Sequence, residues 1–237
     1  MNKENEISIV VPIFNEGKNI DLLTKNIIKK LNKIKFEIIF VDDSSKDNSR
    51  NKLYQLKKKY KFFKPIFRKK KRDLTQSCFE GIEKSKFKNV LIMDGDLQHD
   101  PKYIMPMYKK YKKGKYDILV GARPLVKGPN QGLSETRRFA SRLLIFLFKI
   151  FNIKTSDPMS GFFVFKKKIY LKNKNFYFGK GFKILADILI NSKNTIKIGD
   201  FFIVFKRRYE NKSKMNLRVL LILVYFYFFS FFKKVLF

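Results

Sequence analysis

The chain has 237 residues, and 53 Lys+Arg against 20 Asp+Glu give a formal net charge of +33, which points to an anionic partner such as nucleic acid, a phosphorylated substrate or a lipid headgroup. A content of 45% hydrophobic and 16% aromatic residues can bury a core, which excludes wholesale disorder despite the charge. One cysteine, Cys78, and one histidine, His99, exclude a disulfide scaffold, a cysteine-based zinc site and a multi-histidine metal centre, and argue against a Ser-His triad.

The first residues carry no apolar stretch behind a basic start, so no secretory signal is expected there. Residues 7–13 (ISIVVPI) read as a strand. Residues 19–33 place Ile20, Leu23, Ile27 and Leu31 at helical spacing. A second strand is expected over 36–41, a helix over 47–60 with Leu53, Leu56 and Tyr60 on one face, and a short apolar segment over 65–67. Then come a helix over 74–86, a strand over 90–93, a helix over 100–113 with Pro101 in its first turn, and a strand over 116–121. Continuous apolar strands alternating with amphipathic helices imply a mostly parallel α/β sheet with helices on both faces.

The second half is less regular. Residues 134–152 read as an amphipathic helix with Arg137, Arg138 and Arg142 at its polar end and LLIFLFKIF after it. Strands are expected over 162–165 and 197–205, and a short helix over 181–191. This half is expected to add to the sheet, giving one domain over 1–215. The run VLLILVYFYFFSFF at 219–232 is apolar around its whole circumference. As a helix it would measure about 21 Å, short of a ~30 Å hydrocarbon core. Residues 216–237 are therefore expected to form a membrane-associating helix, interfacial or re-entrant more readily than spanning, with a buried core helix as the alternative.

In so basic a chain the clustered acids are informative. Asp42-Asp43 closes the second strand, and Asp94-Gly95-Asp96 closes the fourth. Ligands of open parallel sheets bind at the carboxyl ends of strands. Asp94 and Asp96 there could present hard oxygens to Mg²⁺ or Mn²⁺, with Gln98 as a third, and the ion would bridge a departing diphosphate. Turn or cap roles are the alternative for the same carboxylates. The run Lys69–Arg72 is either a surface run or faces anionic lipid or a donor. His99 and Cys78 are expected to be structural.

Eight motifs in order carry a resemblance: VPIFNE (11–16), VDDSSKD (41–47), MDGDLQH (93–99), GAR (121–123), SETRRFAS (134–141), DPMSGFFVF (157–165), GFKILAD (181–187) and RYENKSKM (208–215). Together they are similar to the dolichyl-phosphate mannosyltransferase family, inverting family 2 glycosyltransferases of GT-A (Rossmann-like) fold, whose bacterial relatives act on undecaprenyl phosphate. The resemblance implies a nucleotide site lined by Pro12, Phe14 and Glu16, with Phe14 where Tyr is usual. It implies that Val41 and Asp43 contact base and ribose. Asp94, Gly95, Asp96 and Gln98 match the metal and diphosphate motif, with Gly95 where Ala is usual. Arg123 matches an arginine on the donor side, and Arg137 and Ser141 match groups that hold the lipid phosphate. Arg208 and Lys214 match a basic pair that closes over the phosphates, with Asn211 where Gly is usual and Met215 where Leu is usual. Asp187 stands where the family has Glu, and its role is open. Asp94, Asp96, Arg123, Arg208 and Lys214 are thus the implied catalytic set.

The chemistry is consistent on its own terms. A phosphate monoester acceptor is already an anion at neutral pH, so it can attack the anomeric carbon without a general base. The site must instead hold two phosphorylated anions together with a metal ion and cations. The expected reaction is metal-dependent inverting transfer of a sugar, mannose from GDP-mannose by the resemblance, to a polyprenyl phosphate. The expected place is the cytoplasmic face of a membrane, with a separate membrane-embedded partner possible. One alternative keeps the fold with another donor such as UDP-glucose, or with a glycan hydroxyl as acceptor. A remote one is a basic nucleic-acid-binding protein with stacking Phe and Tyr, against which the acid pairs argue by repulsion.

Overall fold

A computed structural model of the chain describes residues 5–31, 33–123, 153–181, 183–192 and 195–205, together with Tyr225, Tyr227 and Phe229. Seven strands form one sheet: β1 (Glu6–Ile13), β2 (Lys35–Asp42), β3 (Phe63–Phe67), β4 (Asn89–Ile92), β5 (Ile118–Ala122), β6 (Phe163–Lys166) and β7 (Ile198–Phe202). Their order across the sheet is β3-β2-β1-β4-β6-β5-β7. All neighbours pair parallel except β6, which runs antiparallel to both β4 and β5. The expectation of a mostly parallel sheet with helices on both faces holds.

The six α-helices among the described residues are α1 (Ile20–Leu31), α2 (Ser49–Lys59), α3 (Leu74–Lys84), α4 (Ile104–Lys113), α5 (Lys167–Lys172) and α6 (Ile184–Ile190). Strand alternation divides the apolar residues between two layers. Ile7, Ile9 and Val11 of β1 face α1 and α4 through Leu23, Ile27, Met107 and Tyr111. Val10, on the opposite face, joins Phe79 and Ile82 of α3 and Ile184 and Ile188 of α6. Helix α3 packs tightly on the sheet at Gly81, where an added Cβ would lie 2.4 Å from Val10 Cγ1.

Element ends follow local chemistry. Asp73 caps α3 by accepting the Gln76 N–H at 3.0 Å. The segment expected as one helix over 100–113 splits into a 3₁₀ turn, Pro101–Tyr103, and α4. Asp100 accepts the Lys102 N–H at 2.9 Å at that turn. Helix α5, in the basic stretch KKIYLK, gave no periodic signal because only Ile169 and Tyr170 are buried. The helix expected over 134–152 lies outside the described residues. So does the one over 216–237, apart from Tyr225, Tyr227 and Phe229, which are helical. Tyr227 is buried in a small cluster with Ala186, against Ile153, Met159, Phe178 and Ile190. Among the described residues no helix is long and apolar enough to cross a membrane.

The close approach at Gly81 yields a test. Gly81→Ala is expected to destabilise the domain by about 1–3 kcal/mol, the usual cost of overpacking, in urea denaturation. An unchanged midpoint would show that α3 can lift from β1 freely.

Candidate active site

Strands β1, β2, β4 and β5 end along one edge of the sheet, and β6 begins there. The loops leaving that edge carry most of the site residues expected from the sequence. Three of the four described non-glycine residues with positive φ sit in them: Asn15, Ser44 and Leu97. Such conformations cost of order 1–3 kcal/mol and persist where the surroundings hold them.

After β1, Pro12 is buried in the strand, and Phe14 lies under Arg72, whose Cζ is 4.3 Å from the ring centroid. Glu16 is buried, and its carboxylate accepts the Asn19 side-chain amide at 2.7 Å. Asp47 fastens the neighbouring loop, accepting the Gly17 N–H at 2.9 Å and the Ser49 hydroxyl at 2.5 Å. Val41 lies wholly in the core beneath α3, so its side chain is not among those brought to the edge.

Asp43 is buried beside the end of β2. One carboxylate oxygen accepts from Arg68 Nη1 and the other accepts the Asp73 N–H at 2.8 Å. Arg68 is itself buried and also donates to Glu80 at 2.8 Å, to Ser77 Oγ at 3.2 Å and to the Asp73 carbonyl at 3.2 Å. Burial pushes the Asp43 carboxyl above its ordinary range, while Arg68 and the Asp73 N–H pull it back. Burial alone would lower the Arg68 guanidinium, but Glu80 and Asp43 raise it.

Beyond β4 the chain makes a tight turn. Asp96 Oδ1 accepts the Gln98 N–H at 3.1 Å, with Leu97 at φ 63° between them. His99 folds back beneath, and its Nδ1 accepts the Asp94 N–H at 3.0 Å. Its ring stacks on Phe162 at 5.2 Å and meets Phe205 edge-on at 4.9 Å. His99 is thus a buried prop for the Asp94–Asp96 turn, and its neutral ring carries its proton on Nε2. At Gly95 the Ala usual in the resembling family would bring a methyl to 2.6 Å from Ile13 Cγ2.

Arg123 follows β5. Its Nε and Nη2 donate to the two oxygens of Asp157 at 2.8 and 3.1 Å, a fork-to-fork pair. Burial would lower this guanidinium, and Asp157 holds it above its ordinary value. The Asp157–Gly161 turn, which reads as a mere turn in isolation, divides its work by residue. Asp157 clamps Arg123, Ser160 Oγ donates to the Gly121 carbonyl at 2.7 Å, and Gly161 closes on Asp94. A Cβ at Gly161 would meet Asp94 Oδ2 at 2.7 Å. Asp200 of β7 holds the approach to this turn through Thr155 Oγ1 at 2.5 Å and the Ser156 N–H at 2.8 Å. Neither Asp157 nor Asp200 was assigned a role from composition or spacing. Their signal is only that Asp157 and Ser160 stand in one short turn between two small-residue steps.

Asp187 is buried in α6, and its two oxygens accept the Phe178 N–H at 3.0 Å and the Gly179 N–H at 2.8 Å. Among the described residues these contacts fasten the loop before α6. Arg137, Ser141, Arg208 and Lys214 lie outside the described residues.

The edge therefore gathers Asp94, Asp96, Gln98 and the Arg123–Asp157 pair beside the loops of β1 and β2. Among the described residues no cluster of three or more His, Cys, Asp and Glu converges as a metal cage. Two carboxylates and an amide oxygen in one turn suit a hard divalent ion that takes its remaining ligands from substrate phosphates and water. Asp94, with 37% of its side chain exposed and Gly161 packed against it, can be reached from outside.

Residues 8–174 match the model of glycosyl transferase family 2. The chain is 32% identical over 215 residues to a dolichol-phosphate mannosyltransferase of Pyrococcus furiosus, covering 89% of this chain and 59% of that protein. It is 30% identical over 225 residues to the Saccharomyces cerevisiae dolichol-phosphate mannosyltransferase, covering 91% and 83% respectively. The fold is similar to that of glucosyl-3-phosphoglycerate synthase from Mycobacterium tuberculosis, solved with Mn²⁺, UDP-glucose and phosphoglyceric acid. The TM-score is 0.73 at 14% identity, over 96% of this chain and 80% of that one.

The buried ion pair gives the test here. Arg68→Met leaves Asp43 buried without its counter-charge and is expected to cost about 3–5 kcal/mol in urea denaturation. The double variant Arg68→Met/Asp43→Asn should recover much of that loss. The deficit of the single variant should shrink as pH falls through the raised folded-state range of Asp43 toward 3.8, the ordinary Asp value, below which the carboxyl is neutral in both folded and unfolded states. A pH-independent deficit would mean that lost packing, not the stranded charge, is responsible.

Proposed function

The chain belongs to glycosyl transferase family 2, and from that premise we propose that it transfers a sugar, mannose from GDP-mannose, to a polyprenyl phosphate with inversion at the anomeric carbon. The observation that carries this reading is the meeting of the Asp94–Asp96 turn with the Arg123–Asp157 pair at one sheet edge. Relatives bearing the name dolichol-phosphate mannosyltransferase, at 30–32% identity over most of the chain, support a polyprenyl-phosphate acceptor and mannose as the sugar.

In this reading Asp94, Asp96 and Gln98 hold Mg²⁺ or Mn²⁺, which supplies neutralising charge to the departing diphosphate. Pro12, Phe14, Glu16, Val41 and Asp43 surround the nucleotide, Phe14 through the ring that Arg72 covers and Val41 through its backbone. Arg123 faces the donor. Asp157 fixes its fork in one plane, which preorganises the charge before substrate arrives. The acceptor phosphate brings its own negative charge, so no side chain need remove a proton. Arg137, Ser141, Arg208 and Lys214 are assigned to that phosphate on the resemblance alone. The lysine excess and the apolar sequence of residues 216–237 support a position at an anionic membrane surface, where each nearby cation would contribute up to about 1 kcal/mol.

The test is incubation of the purified chain with a panel of radiolabelled nucleotide sugars and polyprenyl phosphate, then organic extraction. GDP-mannose with Mg²⁺ or Mn²⁺ should give a labelled lipid, and chelation should abolish it reversibly. Asp96→Ala should lower turnover by about 10³-fold, given several kcal/mol of charge stabilisation from the ion, with an unchanged melting temperature. Label from UDP-glucose alone would redirect the donor assignment. Full turnover by Asp96→Ala would remove the metal assignment.

A further inference from the structure

The basic run Lys69–Arg72 leads from β3 into α3, and its last residue differs from the three before it. All four are exposed. Among the described residues, Arg72 alone of the four lies over an aromatic ring, its Cζ 4.3 Å from the centroid of Phe14. That contact joins two loops of the site edge, the one after β1 and the one before α3. Both loops are held by contacts of their own. Asn15, next to Phe14, takes φ 55°; its N–H donates to Ser45 Oγ at 2.8 Å, and its side-chain oxygen accepts the Lys46 N–H at 2.8 Å. Asp73, next to Arg72, donates its N–H to Asp43 Oδ2 at 2.8 Å, and its carboxylate accepts the Gln76 and Gly181 N–H groups at 3.0 and 2.8 Å. Arg72 thus starts from a fixed point in one loop and ends on the ring of another.

The attraction between guanidinium and ring is one of charge, and it leaves the five N–H groups unused. Among the described residues no hydrogen bond or ion pair takes them. An arginine presents these donors as a rigid planar fork, and this one is exposed, so a ligand can reach it. Its neighbours are Phe14 and, through Asp73, Asp43, the residues set around the nucleotide in the proposed function. Asp94 and Asp96, set on the metal and diphosphate, stand in a different loop, beyond β4. The fork therefore belongs to the nucleoside end of the site. Two parallel donors suit a base edge that offers two adjacent acceptors. Guanine has such an edge in O6 and N7, adenine sets an amino donor beside N7, and uracil offers O4 with no acceptor next to it.

We propose that Arg72 is a specificity-determining residue for the donor, its guanidinium, held over Phe14, donating to O6 and N7 of a guanine base. This rests on the proposed function and gives it a residue of this chain that selects guanine over uracil. The lysines before Arg72 cannot take its place, because an ammonium is a point charge without a planar fork.

The experiment titrates the full chain by calorimetry, with Mn²⁺ present, against GDP, UDP and 7-deaza-GDP, which lacks the N7 acceptor. Arg72→Met should weaken GDP by about 10–100-fold and leave UDP little changed. Arg72→Lys keeps a charge over the ring and loses the fork, so it should recover little of the GDP affinity. 7-deaza-GDP should bind the wild type more weakly than GDP does. Arg72→Met should then weaken it by a smaller factor, because the two changes remove one shared interaction. Arg72 is exposed, so Arg72→Met should keep the wild-type melting temperature, and Arg72→Ala replaces it if it does not. Equal weakening of GDP and UDP would place Arg72 on the shared diphosphate and overturn the base assignment. Full recovery by Arg72→Lys, or wild-type GDP affinity in Arg72→Met, would overturn it as well. A wild type that prefers UDP, or binds neither nucleotide, would remove the guanine donor from the proposed function and this contact with it. A wild type that prefers GDP while Arg72→Met is indifferent would leave that function standing and remove only the role of Arg72.

Discussion

The site edge depends on one buried ion pair, Asp43 with Arg68. Asp43 stands one residue past β2 and Arg68 one residue past β3, and each is bonded through its backbone to the neighbouring strand. The Asp43 N–H donates to the Ile13 carbonyl at 2.9 Å, and the Arg68 N–H donates to the Asp42 carbonyl at 3.0 Å. The side chains then fix where α3 begins, because Asp43 holds the Asp73 N–H and Arg68 holds Ser77 and the Asp73 carbonyl. Replacing such a pair by well-packed apolar residues is often neutral or stabilising, so its value lies in geometry. Strand ends, helix start and the loop at Gly181 share one rigid reference through Asp73.

Around that reference the rare acids divide between two kinds of work. Asp43, Asp73, Asp157, Asp187 and Asp200 have their oxygens occupied by backbone amides, hydroxyls or arginines. They set angles and distances. Asp94 and Asp96 sit half-exposed in one turn, braced by His99 below and Gly161 beside. Fixed acids thus orient Arg68, Arg123 and the loop backbones, while Asp94 and Asp96 keep part of their surface exposed.

The alternation of strands and helices was legible because period-2 and period-3.6 patterns leave direct marks, as at Ile20, Leu23, Ile27 and Leu31. Parallel pairing followed from strands apolar on both faces. The antiparallel insertion of β6 was not legible, since FVFK reads the same in either direction. The Asp94–Asp96 turn was found because carboxylates after an apolar strand stand out. Asp157 was tied to the site only by resemblance, because its importance is a distance to Arg123 across 34 positions of chain. Asp187 was noticed and left open, and the backbone N–H groups that donate to it make local contacts that no residue spacing reveals. Val41 illustrates the converse. A match in a motif did not say that its side chain points under α3.

The reversed direction of β6 has a consequence for how such a chain can change over time. β5 leaves the sheet at the site edge, and β6 returns to it at the same edge, paired Val120 to Phe163. The connection between them is an excursion whose described ends, Arg123 and residues 153–161, lie at the edge that carries Asp94. The entropy of closing such an excursion rises only logarithmically with its length, about 0.6 kcal/mol per doubling. The length of the stretch before residue 153 can therefore change at small entropic cost, whereas Asp157, Ser160 and Gly161 cannot be exchanged without disturbing Arg123, the end of β5 or Asp94. Tolerance to change is thus concentrated in one part of a single connection, and constraint in the turn that ends it.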